Sequence, residues 1–444
     1  MNCNCEFCKS NKPFEMPKEI IEAAIEGNLV LFCGAGISTE GKNVLPYTFY
    51  KSIKDELGEK DDNLSFSALM QEYCNQPNGR RKLLKNIRDR FQYIHSFPEL
   101  EWIATQFHRE LSEIYTIRTI ITTNWDTYFE EYCGAIPITI PEDFAFYDDK
   151  SRFVIKIHGS INNLSSIIAT TEDYNKCYEQ LQNGVIGGTL KNILATKVVV
   201  FIGFSFGDED FAQIIEYLRK EMGDIYPHIY VVTLDNSLQD RIDYSQSTYI
   251  VTSGTFFLHN LKNTLIEKNI IRNNDIQGIV YDFLDKMNDI HMKTSRIKIQ
   301  EYRTNIYALA YQDGVIHACE RFLQLSHTGD YNQPSYICKL IKYYERITDE
   351  YRKKGDYLDM SYYEGYINGL ALIDVCRDNP ELIDSFPYYY LPNAKKELSS
   401  YELFLDEVKR TSFIGGKYSI FAKKILGEKI DKNTIVHHPP YPIN

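Results

Sequence analysis

Six short apolar runs alternate with helix-like segments between residues 29 and 252, and few folds other than a doubly wound parallel sheet accommodate that alternation. The runs are 29–33, 118–123, 153–157, 198–202, 229–233 and 248–252. The first, Leu29–Cys33, is apolar throughout, which suits a strand covered on both faces. A short helix is expected over 17–27, with Pro17 in its first turn, Ile20, Ile21, Ala24 and Ile25 on one face, and Gly27 at its end. From about 41 to 116 the spacing is mostly helical, most clearly over 47–57, 83–93 and 102–115, so a helical insertion separates the first two strands. Residues 137–150 read as an irregular acidic connection. Thr170, followed by Glu172 and Asp173, starts a helix that runs to about Leu181 and breaks across 184–188. Helices over 189–196 and 207–219 flank the fourth run.

Beyond about Tyr281 the strand pattern ends. Residues 295–425 read as four or five helices broken at Gly329, Pro334, Gly355, Pro380 and Pro392, with no fixed repeat. The expected organisation is a polar leader over 1–16, an α/β domain over 17–285, and an α-helical C-terminal domain over 290–444. The tail around His437, His438 and Pro439 is proline-rich and reads as extended, with its His pair incidental.

Four runs end in small or polar residues. The first passes into Gly34-Ala35-Gly36, where the missing Cβ atoms let the backbone turn and approach a ligand. A helix is expected to open there and to favour a phosphate with its N–H groups and dipole. Thr39 stands where a dinucleotide fingerprint would place its third Gly, so the motif is incomplete. The other three ends carry Asn124-Trp125-Asp126, His158-Gly159 and Gly203-Phe204-Ser205. In an open parallel sheet, ligands sit outside the carboxyl ends of the strands, and these four ends could share one crevice.

Taken together these stretches resemble the sirtuin catalytic domain. Gly34-Ala35-Gly36-Ile37-Ser38 is similar to its GAGxS loop, Asn124-Trp125-Asp126 to its Asn-x-Asp motif, His158-Gly159 to its catalytic His-Gly, and Gly203-Phe204-Ser205 to its late Gly-x-Ser. The resemblance covers roughly the first 285 residues and implies a Rossmann-like fold with a small helical module after the first strand. It also implies NAD as ligand. Gly34, Ala35, Gly36 and Ser38 would then cradle the pyrophosphate, with Gly203 and Ser205 toward the adenosine side. Asp126 would face the nicotinamide carboxamide, and Asn124 and His158 would carry catalysis. Cleavage of the nicotinamide–ribose bond leaves an oxocarbenium-like ribose, so such a site needs a positioned acceptor and a base. No metal is expected in it, since only Asp126 and His158 there are zinc-type ligands.

Two departures narrow the expectation. Protein-deacylating sirtuins carry two Cys-x-x-Cys pairs between the His-Gly and the Gly-x-Ser, whereas here only Cys177 lies between His158 and Gly203. The family's arginine-bearing loop after GAGxS also has no counterpart, Lys42 being the nearby base. Both are features of sirtuin-like NAD hydrolases of bacterial anti-phage systems, which join such a domain to a sensing or assembly region. That resemblance implies an NAD hydrolase, a homo-oligomer, and a partner protein of helicase or phage-sensing type. The alternatives are a sirtuin-type deacylase or ADP-ribosyltransferase, and a non-catalytic NAD- or ADP-ribose-sensing or scaffold subunit.

Charge and cysteine content bound the partners. A net charge of −12 argues against a molecule-wide nucleic-acid surface, and direct nucleic-acid binding is not expected. The basic run Arg80, Arg81, Lys82, Lys85, Arg88 and Arg90 reads as a solvated helix face. No apolar run reaches the roughly 18 residues of a membrane span, and no export signal is seen, so the ten cysteines are expected as thiols in a cytoplasm. Cys3, Cys5 and Cys8 have metal-like spacing but lack a nearby fourth ligand. Asp208 and Asp210 read as helix-start carboxylates.

Overall fold

The computed structural model describes residues 11, 13–41, 44–59, 61, 63–148, 150–204, 216, 220, 228–234, 247–273, 276–427 and 437–440. The expectations placed on Cys3, Cys5, Cys8, Lys42, Ser205, Asp208 and Asp210, and on a helix over 207–219, fall outside those residues or largely so. Two compact units emerge, the first comprising Met1–Ile271 with His327–Gly329 and the second Arg272–Ser326 with Asp330–Asn444.

The first unit is built on a parallel sheet of seven strands among the described residues. They are β1 Leu29–Cys33, β2 Thr119–Thr122, β3 Ile136–Ile138, β4 Phe153–Lys156, β5 Val198–Ile202, β6 Ile229–Thr233 and β7 Ser247–Val251. Their order is β3-β4-β2-β1-β5-β6-β7, and every pairing is parallel. The central strand shows why its sequence is apolar throughout. Leu29, Leu31 and Cys33 join a core on one face, whereas Val30 and Phe32 join a core on the other. On the first face the sheet is covered by α1 (Lys18–Glu26), α5 (Pro98–Ser112), the short α6 (Tyr128–Cys133) and α9 (Gly254–Glu267), through Ile20, Phe107, Leu111, Phe129 and Leu261. On the second it is covered by α7 (Thr171–Asn183) and α8 (Val185–Thr196), through Cys177, Leu190 and Leu194. This is the doubly wound arrangement expected from the alternation.

The insertion after β1 contains α2 (Phe49–Leu57), α3 (Phe66–Asn75) and α4 (Gly79–His95), whose own core holds Phe49, Ile53, Leu69, Met70, Tyr73, Leu83 and Ile87. Three local expectations are corrected. Residues 136–138 form an edge strand where an irregular connection was expected; Pro137 has no N–H to give, which an edge tolerates. The break at Gly184 is a single residue, because α8 resumes at Val185 and carries Gly187 and Gly188 inside it. The basic run is not wholly a solvated face: Arg80 donates to Asp173 Oδ2 and to the Ile167 carbonyl, both at 2.6 Å, and the Arg90 side chain is 8% exposed. The start of α7 agrees with its sequence, since Thr170 Oγ1 accepts from the Asp173 N–H while Asp173 Oδ2 accepts from the Thr170 N–H.

The second unit is helical: α10 (Gln277–Ser295), α11 (Asn305–Leu325), α12 (Tyr336–Lys354), α13 (Tyr357–Cys376), α14 (Tyr401–Phe413) and α15 (Lys417–Leu426). Helices α11 and α13 meet at glycines. A Cβ on Gly314 would lie 2.1 Å from the Tyr362 carbonyl oxygen, and one on Gly365 would lie 1.9 Å from that of Tyr311. Some of the chain's 34 tyrosines find a use here. Tyr307, Tyr311, Tyr331, Tyr344, Tyr362, Tyr363 and Tyr366 fill these cores, and a buried hydroxyl takes a main-chain acceptor where it can, Tyr307 at the Tyr418 carbonyl and Tyr311 at that of Pro387. Among the described residues, no helix is long and apolar enough to cross a membrane.

Candidate active site

The sheet register brings the four motif-bearing ends level. Lys156 pairs with Thr122, Thr122 with Cys33, and Cys33 with Ile202. The residues just past this row are therefore Ile157, Thr123, Gly34 and Gly203, on neighbouring strands. The row continues outward from Ile202 to Val232. The chain departs from β1 in opposite directions across the sheet, to β2 on one side and β5 on the other, and such a switch point is where a crevice opens.

The loop after β1 is held by backbone contact with the loop after β5. The Gly34 N–H donates to the Ile202 carbonyl at 2.8 Å and the Gly36 N–H to the Gly203 carbonyl at 2.9 Å. A Cβ on Gly34 or Gly36 would stand 2.7 or 2.8 Å from the Gly203 oxygen, so both glycines are required by this approach. Here the structure corrects the sequence reading. Gly34 leads into a three-residue 3-10 turn, Ala35–Ile37, and no α-helix opens there. The N–H groups of Gly36, Ile37 and Ser38 are taken up by Gly203, Gly34 and Ala35 carbonyls. A phosphate gains no helix dipole at this loop.

Ser38 joins this loop to the Asn124-Trp125-Asp126 turn. Its hydroxyl donates to Asp126 Oδ2 at 2.8 Å, and Asn124 Nδ2 donates to Ser38 Oγ at 3.3 Å and to the Gly34 carbonyl at 3.2 Å. All three side chains are at most 5% exposed. Because both carbonyl and hydroxyl partners sit on Nδ2, the amide orientation is set, and Oδ1 is the remaining atom. Asn124 Oδ1 is buried and has no hydrogen-bond partner among the described residues. An unpaired buried acceptor is costly, and a ligand donor is one resolution of that cost. Thr122 Oγ1 supports the turn, donating to the Cys33 carbonyl at 2.9 Å and accepting from the Asn124 N–H at 3.0 Å.

His158 lies two residues past Lys156, as Asn124 lies two past Thr122. It is 4% exposed and packs on Tyr174 with ring centroids 4.9 Å apart. Gly159 turns at φ +79, where a Cβ would meet the Ser166 carbonyl oxygen at 2.2 Å. The loop beyond it is tied across to the Asn124 turn by the Ile161 N–H, which donates to the Trp125 carbonyl at 2.8 Å. The structure thus joins Gly34, Ser38, Asn124 and Asp126 in one network, brings Gly36 and Gly203 against it, and places His158 on the adjoining strand end. Ser205 lies outside the described residues.

Three supporting groups are not evident as site residues from sequence. Lys156, at 1% exposure, donates to the Asp126 carbonyl and to Glu130 Oε1, the latter at 3.1 Å. Burial raises the Glu130 carboxyl, and the Lys156 ammonium works against that rise. A Lys inside an apolar strand is the available signal. Arg90 reaches from α4 to Glu40 at 2.7 Å and to the Tyr47 carbonyl at 3.1 Å, bracing the segment after Ser38. His108 sits behind Asp126 against the rings of Tyr128 and Phe129, and neither of its ring nitrogens has a hydrogen-bond partner among the described residues.

Burial pushes His108 down from 6.5 to about 4. Between those values the unfolded chain binds the proton and the folded chain does not, so stability is fully present above 6.5 and declines as pH falls toward 4. The loss amounts to about 3 kcal/mol. Urea unfolding at pH 7 and pH 5 should show about 2 kcal/mol of that decline, and His108→Leu should flatten it. An unchanged acid limb in the variant would mean that His108 is not held neutral.

Comparison with known proteins finds relatives of part of this chain. Residues 118–253 match the model of the SIR2-like domain. The NAD(+) hydrolase ThsA of Cytobacillus dafuensis is 33% identical over 215 residues, 46% of this chain and 41% of that protein. The NAD(+) hydrolase ThsA of Bacillus cereus (strain MSX-D12) is 24% identical over 317 residues, 69% of this chain and 63% of that protein. Defense-associated sirtuin 2 of Bacillus subtilis is 25% identical over 238 residues, 51% of this chain and 23% of that protein. The chain thus spans less than half the length of the first of these relatives. A solved structure described as "Structural Basis for the Mechanism and Regulation of Sir2 Enzymes" aligns at 14% identity over 57% of this chain and 98% of its own, with a TM-score of 0.32.

Proposed function

Since residues 118–253 match a SIR2-like domain, we propose that the chain hydrolyses NAD to nicotinamide and ADP-ribose and acts as the NAD-depleting effector of a bacterial anti-phage system. The observation that carries this reading is the Asn124 amide, locked by Gly34 and Ser38 with a buried Oδ1 left over at the strand-end row. The relatives named NAD(+) hydrolase and defense-associated sirtuin support it.

The chemistry rests on what each group can do. Nicotinamide leaves as a neutral molecule, and positive charge spreads over the ribose anomeric carbon and ring oxygen. Asn124 Oδ1 accepts a hydrogen bond from the attacking water or a ribose hydroxyl and holds it in line. His158 takes the proton as the new bond forms. Asp126 keeps lone pairs beyond those used by Ser38 and the Tyr128 N–H, and these receive the nicotinamide carboxamide. Gly34, Ala35, Gly36 and Ser38 line the pyrophosphate, and Gly203 and Ser205 the adenosine side. Without the two Cys-x-x-Cys pairs a zinc module cannot be built between His158 and Gly203, so water takes the place of an acyl oxygen. No metal takes part in this step. The first unit is the catalytic domain; the helical unit serves a homo-oligomer or a sensing partner, and the protein works in the cytoplasm.

Incubation of the purified full chain with NAD, with and without an acyl-lysine peptide, tests this directly. Equal amounts of nicotinamide and ADP-ribose are expected on chromatography without peptide, and a chelator leaves the rate unchanged. Product formed only when the peptide is present would overturn the hydrolase reading.

A further inference from the structure

The helical unit contains a second cluster that the NAD site does not use. His291 on α10, Asp313 on α11 and His437 from the tail converge on one point. His291 Nε2 is 3.1 Å from His437 Nδ1 and 3.5 Å from Asp313 Oδ1, and His437 Nδ1 is 3.3 Å from Asp313 Oδ1. Ligands bound at 2.0–2.2 Å in a tetrahedral shell lie roughly 3.3–3.6 Å from one another, so the three atoms already stand close to the edges of such a shell.

The surrounding hydrogen bonds fix which atoms point inward. Gln312 Nε2 donates to the Tyr388 carbonyl at 3.1 Å and to Thr294 Oγ1 at 3.2 Å. Its Oε1 therefore faces His291 Nδ1, 3.2 Å away, and must accept from it. A neutral His291 then presents the Nε2 lone pair to the cluster. A metal-bound imidazole commonly has its other nitrogen held in this way. Asp313 is oriented likewise, because Oδ2 accepts from the His438 N–H at 2.6 Å and leaves Oδ1 for the cluster. Both His291 and Asp313 have side chains 6% exposed. His438 anchors the tail beside them, stacked on Tyr362 at 4.1 Å and within 3.1 Å of Asp359 Oδ1. Two buried acceptors therefore face each other across a gap in which the one proton His437 can bring satisfies only one of them.

We propose that His291, Asp313 and His437 bind a divalent first-row transition metal of the zinc class, which fastens the tail segment at His437 to the helical unit. The two-imidazole, one-carboxylate set suits such an ion and leaves at least one position for water. The site is structural and independent of the NAD reading. The tail histidines, expected from sequence to be incidental, are in place because the site needs one of them as a ligand and the other as an anchor.

Cobalt(II) is the probe. The full chain with Cys3→Ser, Cys5→Ser and Cys8→Ser, freed of metal by chelator, is titrated with cobalt and followed by visible ligand-field absorption and equilibrium dialysis. One tightly held equivalent is expected, without a thiolate charge-transfer band, together with a rise in Tm that zinc reproduces. His437→Ala, a change at a half-exposed residue, and Asp313→Asn should each weaken binding by a hundredfold or more and abolish the Tm rise. Circular dichroism confirms that each variant is folded. If the chain lacking Cys3, Cys5 and Cys8 holds no stoichiometric cobalt, or if His437→Ala binds it as well as the parent does, the cluster is a hydrogen-bonded triad and the proposal fails.

Discussion

Asn124→Ala should lower NAD turnover by about a hundredfold or more while leaving the chain folded. The substitution removes Nδ2 from the Gly34 carbonyl and Ser38 Oγ, two neutral hydrogen bonds, at a stability cost of about 2 kcal/mol. It also removes Oδ1, which is buried and has no hydrogen-bond partner among the described residues. A residue serving only as a turn would show the stability cost and keep its rate. Asn124→Asp separates the two effects further, because it keeps an acceptor at Oδ1 but turns a second oxygen toward the Gly34 carbonyl. Nicotinamide release and urea unfolding, measured on the same preparations, distinguish a positioning defect from a folding defect.

Gly203→Ala should destabilise the first unit by about 2–4 kcal/mol and weaken NAD binding with it. Gly203 has φ +80, a conformation costly for any residue with a side chain. Its added Cβ would meet Ile37 Cγ2 at 2.7 Å, with the Gly34 carbonyl oxygen and the Ile37 nitrogen both at 2.9 Å. All three neighbours belong to the loop that carries Ser38, so relief requires that loop to move from the row it shares with Asn124. Gly188→Ala is the matched control. It lies inside α8 with open space around it, and alanine there should be neutral or stabilising by about 0.5–1 kcal/mol. Equal midpoints in urea for the Gly203 variant and the parent would show that the approach of the two loops is not needed.

The strands that carry the motifs are readable because both faces are buried. β1, β5 and β6 begin and end where the apolar runs do. β3 is not, since three residues with Pro137 in the middle have neither length nor β-branched density enough to be seen. α3 escapes notice although Phe66, Leu69, Met70 and Tyr73 keep helical spacing, because the neighbouring helices are longer and the Asp61–Asn63 loop obscures its start. The Gly34 loop reads as a helix start by analogy with phosphate loops. Its geometry comes instead from the close approach of Gly203, about 170 residues away, which no local pattern reveals. The same is true of the groups behind the site. Lys156 beneath the Asp126 carbonyl, Arg90 at Glu40 and His108 among aromatic rings act through tertiary neighbours, and only Lys156, as a charge in an apolar strand, leaves a mark in the sequence. The His291, Asp313 and His437 cluster is a further case, with His437 more than a hundred residues from both of its partners in sequence.

The central claim is that the ends of β1, β2, β4 and β5 build one NAD-cleaving site. Its most direct test is nicotinamide release from NAD, without peptide, by the full chain, by Asn124→Ala, by His158→Ala and by the double variant, measured side by side. The account predicts release by the parent, a loss of about a hundredfold or more in each single variant, and little further loss in the double variant, because the two residues act on the same step. Near-full release in either single variant, or a double variant that falls by the product of the two single losses, would contradict it.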